Sequence, residues 1–116
     1  MPVLMVALGG ALGAVARFLI AAGFARRFGT GWPWATLFIN LTGCFLIAVF
    51  AARLTSPNLR YLLPVGFVGA YTTFSTFEYE TVRLFQLGQP AGAIAYVLAS
   101  NLLGLCAVLL GDWVAR

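Results

Sequence analysis

The 116-residue sequence contains no histidine and no lysine, only three carboxylates (Glu78, Glu80 and Asp112) and two cysteines. Without histidine, and with no Cys/His spacing, a zinc site is excluded. Charge is just as scarce. Charged residues make up 9% of the chain against 62% hydrophobic ones, too few to cover a core in water, so a soluble domain is excluded. Met1-Pro2-Val3 lacks the basic stretch of a secretory signal, and no cleaved leader is expected. A formal net charge of +4 invites a nucleic-acid reading. The basic residues argue against it: all seven are arginines, most at the ends of apolar runs. There they anchor helices by snorkelling to lipid headgroups. Cys44 and Cys106 fall inside apolar runs and read as small packing residues.

What is abundant is apolar length, with a mean hydropathy of +0.97. A membrane helix needs roughly 20 apolar residues. The chain therefore reads as one transmembrane domain over residues 1–116, an all-α membrane protein with four spans at about 3–24, 32–53, 60–85 and 91–113. No enzymatic chemistry is expected, and any function lies within the bilayer or at its edges.

In the first span Gly9 and Gly13, with Gly10 and Ala14 beside them, form a small-residue face that lets a second helix approach. Arg17 lies well inside this span. It is either an anchor or a charge in a water-filled vestibule. A loop from Ala25 to Gly31 carries Arg26 and Arg27, and Trp32-Pro33-Trp34 opens the second span at an interface. Thr36, Asn40 and Gly43 share one face of that span. Asn40 sits near mid-depth, where a carboxamide must find partners. It either joins helices or lines a wet path. Thr55-Ser56-Pro57-Asn58 is a turn. In the fourth span Tyr96, Ser100 and Gly104 repeat every four residues, with Asn101 alongside.

The stretch Gly69-Ala70-Tyr71-Thr72-Thr73-Phe74-Ser75-Thr76-Phe77 is too rich in hydroxyls for the middle of a membrane helix. It predicts a break. Ser75-Thr76-Phe77-Glu78 matches a capping box, so the second half-helix is expected to restart at Ser75 and run to about Arg83. Glu80 and Arg83, three apart, are expected to pair. A broken helix exposes carbonyls at the end of its first half and N–H groups at the start of its second. Carbonyls near Gly69 to Thr72 suit a hard cation such as sodium, and the Ser75 end suits an anion. Phe74 and Phe77 can share a face and turn ring edges, which are positive, toward that anion. Asn40, Thr36, Ser75, Tyr96 and Ser100 add donors at matching depths. A track rich in donors and poor in carboxylates fits a small hydrated anion better than a cation.

Arg53, Arg60 and Arg116 fall on one side of the membrane, and Arg26, Arg27 and Arg83 on the other. Balanced loops give the positive-inside rule almost no purchase. Either the short loops carry weak signals and the chain is oriented by other means, or it inserts both ways and two copies pair antiparallel; a chain too small to surround a pore favours the second.

At this point the chain resembles the CrcB/Fluc fluoride channels of prokaryotes. The motifs are Gly9-Gly10-Ala11-Leu12-Gly13-Ala14-Val15-Ala16-Arg17, Thr36-Leu37-Phe38-Ile39-Asn40-Leu41-Thr42-Gly43 and, most specifically, Thr72-Thr73-Phe74-Ser75-Thr76-Phe77. The resemblance implies a dual-topology homodimer in the prokaryotic inner membrane, with two antiparallel pathways that let fluoride leave the cell passively. It places Asn40, Phe74 and Phe77 on the pathway, with Ser75 and Thr76 near it and Tyr96, Ser100 and Glu80 on a polar track. It makes Arg17 the vestibule arginine. It also assigns the backbone carbonyls of Gly69 and Thr72 to one central structural sodium shared by both subunits. Where the family often has a second glycine this chain has Ala70, so the sodium geometry depends on the backbone angles there. The competing architecture of the same size is a proton-coupled exporter of the small multidrug-resistance type. It would need a membrane-embedded carboxylate, and the first span has none. A scaffold protein is a third reading, supported mainly by the glycine face.

Overall fold

The computed structural model describes residues 1–116. It is helical throughout, in the order α1 (Pro2–Phe28), α2 (Trp34–Arg53), α3 (Pro57–Arg60), a π-helical segment (Tyr61–Val68), α4 (Gly69–Tyr71), α5 (Phe74–Gln86) and α6 (Pro90–Ala115). The bundle measures 48 × 28 × 22 Å, a long axis close to the thickness of a bilayer with its headgroups, about 40–45 Å. Three helices, α1, α2 and α6, are each long and apolar enough to cross a membrane. The third span is the interrupted one. Only 17 of 116 residues are buried, while Leu12, Phe18, Leu105 and Leu109 stand exposed. That inversion suits a protein whose outer solvent is lipid.

Helix α1 packs mainly on the π-helical segment and α4, and α2 packs along α6. The glycine face expected in the first span makes the first of these contacts. A Cβ added at Gly9 would run into the Leu62 carbonyl oxygen, and one at Gly13 into the Phe67 carbonyl oxygen. Backbone thus lies directly on backbone, as small residues permit.

Several boundaries shift from the sequence expectation. Arg26 and Arg27 lie in the last turn of α1 rather than in a loop, because the helix continues to Phe28. Cations there complement the negative helix end. Pro64, expected in the first turns of the third span where proline is tolerated, lies inside the π-helical segment. Proline has no N–H to bond a carbonyl one turn back, and its ring crowds that carbonyl. A wider turn accommodates both effects, as π-bulges do. The arginines at span ends also do more than snorkel. Arg53 Nε donates to the Ala115 carbonyl at 2.6 Å and Arg60 Nε to Leu54 at 2.7 Å, closing helix ends that lack other partners. The chain's one ion pair joins Asp112 to Arg116 at 2.8 Å.

A candidate ion site at the helix break

The third span breaks where the hydroxyl-rich stretch predicts, two residues earlier than its capping pattern suggests. Helix α4 ends at Tyr71. Thr72 (ψ 157°) and Thr73 (φ −147°, ψ 119°) are extended, and α5 begins at Phe74. The N-cap is therefore Thr73, not Ser75. Its Oγ1 accepts from the Thr76 N–H at 3.2 Å, and its hydroxyl donates to Thr76 Oγ1 at 3.0 Å. Glu78 accordingly loses its expected place in a capping box and stands exposed. Ser75 is also exposed. Helix α5 has 13 residues, longer than the half-helix ending at Arg83. Glu80 and Arg83 do not pair. Glu80 Oε1 accepts from the Tyr96 hydroxyl at 2.8 Å, and Arg83 Nη1 donates to Gln86 Oε1 at 3.1 Å.

The break is held from two sides. From α1, Arg17 Nε donates to the Ala70 carbonyl at 3.2 Å. From α2, Asn40 faces Thr73: the Thr73 N–H donates to Asn40 Oδ1 at 2.9 Å, and Asn40 Nδ2 donates to the Thr73 carbonyl at 3.1 Å. Three residues on, Gly43 leaves room for Thr72, whose Cγ2 would meet any Cβ placed there. Thr72 completes its own turn, with both its N–H (3.0 Å) and its Oγ1 (2.9 Å) donating to the Val68 carbonyl. Thr42 and Tyr71 link their hydroxyls at 2.8 Å beneath. The Thr36–Asn40–Gly43 stripe thus lies along the broken span. Ala70 needs no special backbone angles, since it lies in the α4 turn and no residue other than glycine has a positive φ.

Two clefts flank α5. One, of about 330 Å³, is lined by Asn40, Cys44, Thr72, Thr73, Phe74, Phe77 and Ser100 among others. Ser100 Oγ is buried in the protein without a hydrogen-bond partner, a vacant donor in an otherwise satisfied interior. The other cleft, of about 260 Å³, takes in Thr36, Thr76, Glu80 and Arg83 beneath Trp32 and Trp34. Phe77 lines the first cleft and not the second. It is 7% exposed, and its ring meets Tyr96 edge-to-face at 5.0 Å and 67°. Tyr96 in turn meets Trp32 at 5.3 Å and 73°. Phe74 lies 6.1 Å from Phe77 but points outward, 73% exposed. The structure therefore divides the predicted donors between the two clefts, Asn40 and Ser100 in the first and Thr36 in the second, and leaves Tyr96 fully buried and lining neither. It leaves Ser75 lining neither cleft, and Gly69 exposed at the end of the first half-helix. Thr73 is the residue that sequence reasoning missed. Its signal was present, a hydroxyl three residues before Thr76, but it competed with Ser75 and the more familiar Glu78 partner.

A helical bundle with outward-facing leucines, three helices long enough to span a membrane and one further run broken beside buried donors defines a multi-pass membrane protein of the channel and transporter class. The family model for CrcB-like protein, Camphor Resistance (CrcB), matches residues 4–112, and the chain belongs to that family. It is 51% identical to a fluoride-specific ion channel FluC of Acidobacterium capsulatum, over 96% of this chain and 93% of that protein. It is 45% identical to the FluC of Nitrobacter winogradskyi (98% and 94%) and 36% identical to a FluC of Clostridium acetobutylicum (97% and 96%). Family membership displaces the small multidrug-type exporter. The site agrees with this, because the one carboxylate in the clefts, Glu80, is occupied by Tyr96.

Proposed function

We propose that the protein is a fluoride-selective channel that lets fluoride leave the cell passively. The observation that carries this reading is the pair of clefts beside α5, lined by neutral donors and one arginine, with a single carboxylate that is already bonded. The relatives named as fluoride-specific channels supply the identity of the ion. In this reading Ser100, Thr76 and Thr36 pass the anion from donor to donor, and Tyr96, its one hydroxyl proton held by Glu80, backs them from the buried side. Asn40 contributes the second hydrogen of its Nδ2, since Thr73 takes only the first. Phe74 and Phe77 present ring edges, Ser75 stands near the mouth, Glu80 orients Tyr96, and Arg17 supplies a positive potential. Selectivity against chloride then comes from donors spaced for a small, strongly hydrated anion. In liposomes the purified protein is expected to release fluoride and retain chloride. Equal efflux of both, or none of either, would overturn the reading.

The channel works, in this proposal, as a dual-topology antiparallel homodimer with two pathways. Phe74, Ser75 and Gly69 are exposed in one chain, where a second copy would cover them. A structural sodium fits the end of the first half-helix. The Thr73 N–H, which would otherwise close the next turn on Gly69, is turned to Asn40. That frees the Gly69 carbonyl, and with Thr72 it offers the oxygen ligands a hard cation takes. Hard cations collect about six oxygens, so one chain's pair is incomplete; a second copy's pair would bring four, and water the remainder. The ion would supply charge neutralisation between two carbonyl-rich helix ends. Exchanging sodium for a large organic cation is expected to weaken the dimer and its flux together. An assembly indifferent to that exchange would remove the sodium from the proposal.

A further inference from the structure

We propose that the Asn40 carboxamide is the positioning group that keeps the third span broken, by taking both backbone hydrogen-bonding groups of Thr73 away from the helix. The geometry itself does not depend on which ion the break serves. Only its consequence for the cation rests on the proposed function.

Helix α4 is bonding normally when it reaches the break, for the Thr72 N–H still closes on Val68 at 3.0 Å. The next bond in register would run from the Thr73 N–H to the Gly69 carbonyl. Asn40 Oδ1 intercepts that N–H at 2.9 Å, and Asn40 Nδ2 caps the Thr73 carbonyl at 3.1 Å. The side chain therefore pairs with Thr73 as a neighbouring β-strand would, and Thr73 has the matching extended angles, φ −147° and ψ 119°. In lipid such a trade is decisive, because an unbonded backbone group has no water to turn to. Nothing else bonds the Thr73 N–H or its carbonyl to a side chain. Extended angles also place the Thr73 hydroxyl over the Thr76 N–H, so one carboxamide both ends α4 and allows α5 to start. Asn40 stands opposite Thr73 because Gly43, on the same face, lets α2 lie against Thr72. Both bonds demand a carboxamide: leucine supplies neither, and aspartate keeps an acceptor for the N–H.

Thr72-Thr73 is the only Thr-Thr pair in the sequence. In protein labelled with ¹³C,¹⁵N-threonine, a filter through the bond between a threonine carbonyl carbon and the next threonine nitrogen therefore selects Thr73 alone. In bilayers, solid-state NMR of the unmodified protein is expected to show extended-type Cα and Cβ shifts for Thr73. Further labelling with side-chain ¹³Cγ-asparagine is expected to show a dipolar contact from a carboxamide carbon to the Thr73 nitrogen. In Asn40→Leu the Thr73 shifts are expected to leave the extended range toward helical values while threonines remote from the break keep theirs. In Asn40→Asp they are expected to stay extended. An Asn40→Leu variant with Thr73 still extended would overturn the proposal. If that variant does not fold, a missing Asn–Thr73 contact in the unmodified protein, or loss of extended shifts in Asn40→Asp, overturns it equally.

Discussion

Phe77→Ile is expected to bring fluoride flux down to background while the protein stays folded. Phe77 lines the cleft that holds Ser100, its ring against Tyr96, so in the proposed pathway an anion leaving the Ser100 side meets that ring. Isoleucine keeps the apolar bulk and removes the positive ring edge, the only feature of phenylalanine that attracts an anion. The structural cost is small by comparison. The edge-to-face contact with Tyr96 at 5.0 Å is worth about 0.5–1.5 kcal/mol beyond burial, and conservative apolar exchanges in cores usually cost under about 1.5 kcal/mol. Each 1.4 kcal/mol is roughly a factor of ten in an equilibrium, which a stable membrane bundle tolerates. Efflux from liposomes, with size-exclusion elution as the folding control, separates the two effects. Unchanged flux in Phe77→Ile would take this ring out of the pathway.

Gly13→Leu is expected to abolish assembly of the fold itself. The added Cβ would collide with the carbonyl oxygen of Phe67 and crowd the Phe67 backbone. Backbone cannot rotate away as the tip of a side chain can, so α1 must separate from the third span. With it goes the Arg17 bond to Ala70, four residues further along α1. Overpacking a core costs about 1–3 kcal/mol when side chains can adjust, and here they cannot. Gly23→Leu is the matched control. It adds the same bulk to the same helix, but nothing lies within 4 Å of a Cβ there, and replacing glycine inside a helix gains up to about 1 kcal/mol of propensity. Loss of monodisperse protein in Gly13→Leu, with Gly23→Leu normal, is the expected pair of results. Equal yield and equal thermal stability would show that α1 does not need the close approach.

These expectations differ in how far the sequence could have carried them. The glycine face of α1 is legible because small residues four apart have few other uses in a membrane helix. Its partner is not legible, since any of three other spans could have received it. The break is legible from its hydroxyls, yet its exact start is not. Thr73 and Ser75 are both acceptable caps by type, and Glu78 at the right spacing favours Ser75. Thr73 prevails because Asn40, 33 residues away in sequence, holds it extended. The π-helical turn around Pro64 is hidden for a similar reason. Proline alone signals a kink or a helix start, and only the folded backbone shows that the turn around it is π-helical. The expected Glu80–Arg83 pair fails because the Tyr96 hydroxyl reaches Glu80 from α6. A local i, i+3 pair, worth only about 0.2–0.5 kcal/mol, loses readily to a hydrogen bond to a charged group, worth about 1.5–3 kcal/mol.

By itself the sequence determined that this chain lives in a membrane, that it has four apolar runs and that the third is interrupted. Those properties follow from counts of apolar and polar residues, which depend on no fold. It also placed Thr36, Asn40 and Gly43 on one stripe and Tyr96 and Ser100 on another, because helical periodicity is local. Only the tertiary structure decided what the stripes face. It set Asn40 on the backbone of Thr73, Tyr96 on Glu80, Arg17 on the Ala70 carbonyl and Phe77 against Tyr96. In a bilayer each buried polar group must find a partner inside the protein, and which partner it finds is settled when the helices pack, not when they form.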